Sequence, residues 1–319
     1  MIPVSLTVLV FLLFPVQPVT AEVASFPSGQ AILQGLLYKP SGRGPFPAVI
    51  YNHGSARGML SNAAFEAIGP VFAQRGWIFF APYRRGQGLS AAAGPFIGDE
   101  IASARKRGSI GALPLVTSVL VLLLALVLSM VRKKRRWVRG TWIALSVIVG
   151  VAGVYFNGTR AGAETMVHLL ETDHLNDQVA AFDWLRQQDF VQSNRIAVAG
   201  NSFGGIEAVL GAERLNYCAA IDAAGGAESW RLASLLKTRM TVAVQNSKAP
   251  IFFFQAENDY SLGPSRTLSA AMKDAGKISK VKIYPAFGRS ASDGHSFTWL
   301  GISVWGDDVF RFLDEYCKN

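Results

Sequence analysis

Cysteine, histidine and charge are all scarce in this chain, and each scarcity excludes something. Two cysteines, Cys218 and Cys317, and four histidines are spread over 319 residues. They form no metal-site spacing, and two cysteines make no disulfide framework. In an oxidising compartment the two could pair; the expectation is instead one buried thiol and one near a terminal helix. Charged residues make up 17% of the chain against 50% hydrophobic, a rich apolar balance for a purely soluble enzyme. No internal repeat or low-complexity tract is present, so a solenoid or disordered chain is excluded. The length suits one large α/β domain or two small ones.

The formal net charge of +9 points at first to an anionic partner. Its distribution argues otherwise. Arg132, Lys133, Lys134, Arg135, Arg136 and Arg139 crowd one short loop, and Arg105, Lys106 and Arg107 lie just upstream. These nine equal the whole excess of positive charge. With no wider basic surface and no interleaved aromatics, nucleic acid is not an expected partner.

Apolar residues are concentrated in three segments. The first, "MIPVSLTVLVFLLFPVQPVTA", ends in the small-residue pattern Val19-Thr20-Ala21 of a secretory signal, although it lacks a basic start. Residues 1–21 are therefore expected to be a cleaved signal or an uncleaved anchor. The second, Ala112 to Val131, is uncharged and long enough to span a bilayer. The third, Thr141 to Phe156, is shorter and carries Gly150 and Gly153. The basic loop between the last two is of the kind retained in the cytoplasm. Residues 109–157 thus read as a transmembrane hairpin, and residues 22–108 and 158–319 as two parts of one extracytoplasmic domain.

Those two parts alternate strand-like and helix-like stretches. "AILQGLLYKP", "PAVIYNHGS", "WIFFAPYRRG", "RIAVAG", "CAAIDAAGG", "APIFFFQAENDY" and "VKIYPAF" read as strands, most of them apolar enough to be buried on both faces. A helix capped at Ser61 or Asn62, a helix over "ETDHLNDQVAAFDWLRQQ", and three more before the C-terminus lie between or after them. This order implies a mostly parallel sheet covered by helices on both faces.

Chemistry is concentrated at Gly200-Asn201-Ser202-Phe203-Gly204. A buried strand enters and a helix leaves, and the two glycines allow strand and helix to approach while the serine takes a strained backbone. The turn lifts the Ser202 hydroxyl above the sheet edge, beside the positive end of the new helix. A serine nucleophile needs a base and the base an orienter. Only His295 follows the elbow, after the last expected strand, and Asp259 follows the strand before that. Asp293 is too near His295 in sequence to orient its ring easily, and Asp222 is a weaker rival. The expected oxyanion donors are the amides of Phe203 and Ser55. His53 shapes the Ser55 loop, and Arg84 and Arg85 support that loop or meet a substrate carboxylate.

The stretches "NHGS", "PYRRGQGLS", "HLNDQVAAFDWLRQQDFV", "RIAVAGNSFGG" and "DGHSF", with Asp259, resemble an α/β-hydrolase of the dienelactone hydrolase-like group, close to the catalytic domain of prolyl oligopeptidase-type enzymes. The resemblance implies an α/β-hydrolase fold and an acyl-enzyme mechanism with no metal or organic cofactor. Dienelactone hydrolases use cysteine where this chain has Ser202, so lactone substrates do not follow. The apolar hairpin is absent from the family pattern.

The resulting expectation is a membrane-inserted serine carboxylesterase. A prolyl oligopeptidase-type peptidase and a non-catalytic interaction or sensory domain are the alternatives. Nothing in the sequence forms a peptide-gating domain, which favours the esterase. The hairpin leaves the chain after "WIFFAPYRRG", at the strand edge where active-site loops lie. It should turn the site's mouth toward the bilayer and favour lipophilic esters, with Arg105 to Arg107 beside lipid phosphates.

Overall fold

A computed structural model describes residues 19–55, 63–131, 136–231 and 233–318. The first apolar segment up to residue 18, the expected cap at Ser61 or Asn62, and the basic residues 132–135 lie outside the described residues.

Eight strands form one sheet: β1 (Glu22–Ser28), β2 (Ala31–Tyr38), β3 (Phe46–Asn52), β4 (Ile78–Pro82), β5 (Val191–Asn201), β6 (Ala220–Ala223), β7 (Ile251–Ala256) and β8 (Ser279–Tyr284). Their spatial order is β1-β2-β4-β3-β5-β6-β7-β8. β1 and β2 form an antiparallel edge, β2 runs antiparallel to β4, and from β4 to β8 the sheet is parallel. β1 has no counterpart in the sequence reading, because an exposed edge strand with burial on few positions lacks a long apolar run.

The helices are α1 (Ala63–Gln74), α2 (Ile97–Ile110), α3 (Ala112–Val131), α4 (Arg136–Glu171), α5 (Asp173–Leu185), α6 (Phe203–Arg214), α7 (Ser234–Gln245), α8 (Gly263–Asp274), α9 (Ala291–Leu300) and α10 (Ile302–Tyr316). Strand alternation feeds two cores, one on each face of the sheet. Ile50, Phe80, Val198 and Phe253 face one core, with Phe182 of α5, Ile206 of α6 and Met240 of α7. Their neighbours Val49, Phe79, Ala197 and Phe252 face the other, with Phe72 of α1, Phe297 of α9 and Phe310 of α10. A sheet buried on both faces explains why its strands read as continuous apolar runs.

Two expectations are corrected here. Cys218 and Cys317 are bonded to each other, not separate thiols. The bond ties the segment before β6 to the end of α10, residues brought together only by the sheet. The third apolar segment does not end near Phe156: α4 continues unbroken for 36 residues, roughly 54 Å, to Glu171. Its last turns join the core through Met166 and Leu170.

α2, a weakly apolar helix with no sequence pattern to mark it, packs along this part of α4. A Cβ on Gly108 would stand 2.6 Å from the Ala161 Cβ, and one on Gly158 would stand 2.1 Å from Ser109 Oγ. Glycines at these crossings permit the close approach. α3 and the first half of α4 also pack together, yet Leu120, Leu124, Val151 and Phe156 are more than half exposed. Among the described residues, Ile143–Leu185 is the one helical stretch long and apolar enough to cross a membrane, and only 11% of its most apolar window is buried. Val116–Leu128 is a shorter apolar helix.

Candidate active site

Ser202 occupies the turn between β5 and α6 with φ 55° and ψ −117°. A non-glycine residue at that φ carries strain on the order of 1–3 kcal/mol, held by the surrounding structure. One constraint is the hydrogen bond from the Ser202 amide to the Ala223 carbonyl, 2.9 Å. The flanking glycines supply the space. A Cβ on Gly200 would stand 2.0 Å from the Gly204 carbonyl oxygen, and one on Gly204 would stand 1.9 Å from the Asn52 carbonyl oxygen.

Asp259 and His295, 36 residues apart in sequence, are brought into contact. His295 Nδ1 lies 2.9 Å from Asp259 Oδ1, with both side chains largely buried. The carboxylate is fixed in turn: the Tyr260 amide donates to Oδ1 at 2.6 Å and Gln255 Nε2 to Oδ2 at 3.2 Å. His295 Nε2 is buried and makes no hydrogen bond among the described residues. No hydrogen bond joins His295 Nε2 to Ser202 Oγ in this structure. His295 sits within α9, the helix that follows the last strand. Asp293 caps that helix through a reciprocal pair of bonds with Ser290, which removes it as an orienter. Asp222 is buried on β6 and accepts a 2.6 Å bond from the Gly225 amide. Burial pushes its carboxyl up to about 7, partly opposed by that bond.

The loop after β3 carries His53, Gly54 and Ser55. Ser55 lines a cavity of about 520 Å³ together with Ser202 and Phe203. Phe203 is the first residue of α6, so its amide has no acceptor within the helix. Burial, and next the nearby Arg84 cation, push His53 down to about 3. The ring is therefore neutral: Nδ1–H donates to the Gly54 carbonyl at 2.7 Å, and Nε2 accepts from the Arg84 amide at 3.2 Å.

Arg84 is buried behind this loop rather than open to a substrate carboxylate. Its Nη2 donates to the carbonyls of His53 and Gly54. Its guanidinium lies 4.8 Å from the centre of the Phe203 ring, and Nε is 3.4 Å from Glu207 Oε1. Arg84 thus ties the Ser55 loop to the first turns of α6. Despite that cation, burial pushes Glu207 up to about 7. Arg85 faces another way, forming a two-point pair with Asp177 at 2.8 and 2.5 Å.

Three supporting residues escaped the sequence reading. Asn201 accepts from the Gly54 amide at 3.2 Å and from Tyr51 Oη at 3.0 Å, holding the loop against the elbow. Gln255 locks Asp259. Glu207 had a legible signal, since a lone carboxylate in the apolar run "GGIEAVL" needs a buried partner.

A parallel sheet with a strained serine at the carboxyl end of a central strand defines an α/β-hydrolase. The sequence profile of the dienelactone hydrolase family matches residues 125–299, and the chain belongs to that family. No curated protein matches the sequence. Among solved structures, one assigned to a dienelactone hydrolase from Klebsiella pneumoniae is similar at TM-score 0.55 and 14% identity, covering 94% of this chain and 98% of that one. The acylaminoacyl peptidase of Pyrococcus horikoshii matches at TM-score 0.55 and 14% identity, over 95% of this chain and 43% of its own. Dipeptidyl peptidase 4 of Porphyromonas gingivalis matches at TM-score 0.55 and 14% identity, over 94% and 36%. The chain spans less than half the length of either peptidase. At these identities the likeness is one of fold.

Proposed function

We propose that the protein is a membrane-inserted serine carboxylesterase whose catalytic domain lies outside the cytoplasm. One observation carries the chemistry: Ser202 holds a strained conformation at the sheet's catalytic edge, and the edge also bears the hydrogen-bonded Asp259–His295 pair. Ser202 Oγ attacks the ester carbonyl carbon while its proton passes to His295 Nε2. Asp259 keeps the Nδ1 proton in place and stabilises the imidazolium. The amides of Phe203 and Ser55 receive the oxyanion. The intermediate collapses, His295 returns the proton to the departing alcohol, and water releases the acyl group by the reverse steps. His53, Arg84 and Asn201 are positioning residues for the Ser55 amide.

The exposed apolar faces of α3 and α4 support insertion of residues 109–157 as a hairpin. A buried core helix would hide such a window. The Cys218–Cys317 bond, which lies wholly within residues 158–319, supports an oxidising location for that half of the catalytic domain. A small-molecule ester is the substrate class, and bilayer lipids surround the hairpin.

The test uses the purified full-length protein in detergent with a fluorophosphonate probe and a short p-nitrophenyl ester. The probe should label Ser202, and Ser202→Ala should abolish both labelling and hydrolysis while leaving the thermal midpoint intact. Hydrolysis retained in Ser202→Ala would refute the mechanism. Turnover of a peptide amide in preference to the ester would replace the esterase reading with a peptidase.

A further inference from the structure

The candidate active site and the apolar hairpin share a wall. Across the 520 Å³ cavity from Ser202 stand Ile101 and Arg105 of α2, with Gly162 and Met166 of α4. Gly162 makes room for the arginine. A Cβ there would stand 2.4 Å from Arg105 Cγ and 2.8 Å from its Nε, so the side chain lies across the α4 backbone at that point. Arg105 is exposed, and among the described residues it has no hydrogen-bond or ion-pair partner. Glu228, a carboxylate lining the same cavity, forms no ion pair with it.

One turn further along α2, at Ser109 and Ile110, a second cavity of about 450 Å³ begins. It runs between α3 and α4 and is walled by Val119, Leu122, Val151 and Val154. Along the helix pair there are thus a nucleophile, an unpaired cation and an aliphatic groove.

We propose that the substrate is an anionic amphiphile: a long-chain ester bearing a phosphate or carboxylate, taken from the outer leaflet. The hydrocarbon lies in the α3–α4 groove, Arg105 pairs with the anion, and the ester carbonyl reaches Ser202. This rests on the serine-hydrolase and hairpin reading given above. A guanidinium forks onto phosphate or carboxylate at two points. Arg105 lines the cavity that holds Ser202, so the anion of the headgroup can pair with it there while the ester carbonyl stands at the serine.

The test places the full-length protein in liposomes and compares kcat/KM for three esters. They are a long-chain monoacylglycerol phosphate, the matching neutral monoacylglycerol, and a short-chain water-soluble ester carrying the same phosphate. The wild type should prefer the long anionic ester over the neutral one by about tenfold, the scale of one hydrogen-bonded charge contact. Arg105→Gln should erase that preference and Arg105→Lys restore part of it. Arg107→Gln, outside the cavity, should preserve it. Equal rates on the two long esters in the wild type, or an undiminished preference in Arg105→Gln, overturns the proposal. The short phosphate ester performing as well as the long one overturns the membrane source. Should Arg105→Gln fail to fold, Arg105→Met decides: an undiminished preference in that uncharged variant points to a cation-independent cause and overturns the proposal. An absence of Ser202 probe labelling would instead sink the serine-hydrolase reading, and this proposal with it.

Discussion

Replacing Asp259 with asparagine tests the orienting role at its most constrained point. Gln255 Oε1 accepts from Ser265 Oγ at 2.6 Å, and Gln255 Nε2 donates to the Ser261 carbonyl at 2.9 Å, so this amide cannot turn over freely. With the new amide oxygen at the Oδ1 position, the Tyr260 and His295 contacts survive. The new NH₂ then faces Gln255 Nε2 at about the present 3.2 Å, donor against donor. With the amide reversed, the clash moves to the Tyr260 amide at 2.6 Å, and His295 is pushed into the wrong tautomer. Either way one buried donor goes unsatisfied, costing roughly 1–3 kcal/mol of stability. The catalytic loss should be larger, because the carboxylate that stabilises the imidazolium has gone. We expect kcat on a short ester to fall roughly a thousand- to ten-thousand-fold. Stopped assays from pH 6 to 9, with fluorophosphonate labelling rates alongside, measure it. Asp222→Asn serves as the comparison and should stay active. If Asp259→Asn kept activity within about tenfold of wild type while Asp222→Asn lost it, the acid would be Asp222 and the proposed arrangement wrong.

Asp222 also governs a pH effect. Its folded carboxyl is raised from 3.8 to about 7, so its contribution to stability is complete below pH 4 and lost as pH rises through 7. The shift corresponds to about 4 kcal/mol; Asp222→Asn should therefore raise the thermal midpoint at pH 8 far more than at pH 5, and an equal change at both would contradict the assignment. Glu207, raised to about 7, has the same sign and should leave part of the slope in that variant. Gly204→Ala drives a methyl into the Asn52 and His53 carbonyls, forcing α6 away from β3; we expect probe labelling to fall at least about a hundredfold with several kcal/mol of destabilisation, and normal labelling would show the elbow to be looser than described. For topology, Lys273→Cys should react with an impermeant maleimide in intact cells while Trp137→Cys stays protected. The native cysteines are bonded and silent in that assay, and equal labelling at the two positions would rule out the hairpin.

The sequence by itself determined the alternation of buried strands and helices, the elbow at Ser202, and the order Ser202, Asp259, His295. These are local matters. A strand buried on both faces must be apolar along its length, and a turn that forces φ to 55° at a serine needs glycines within two residues. The tertiary structure decided what depends on residues far apart in the chain. Cys218 meets Cys317 only because β6 and α10 close on one another. Arg84 was legible as a charge after a strand, but its burial against Glu207 and the Gly54 carbonyl required β4, β3 and α6 to converge. α4 outran its apolar stretch because its second half exchanges the exposed apolar face of its first half for the glycine-lined crossing with α2, and neither half announces that partner. Arg105 likewise reads as one of three consecutive cations in the sequence. Only the α2–α4 crossing sets it, and not its neighbours, at the wall of the cavity that holds Ser202.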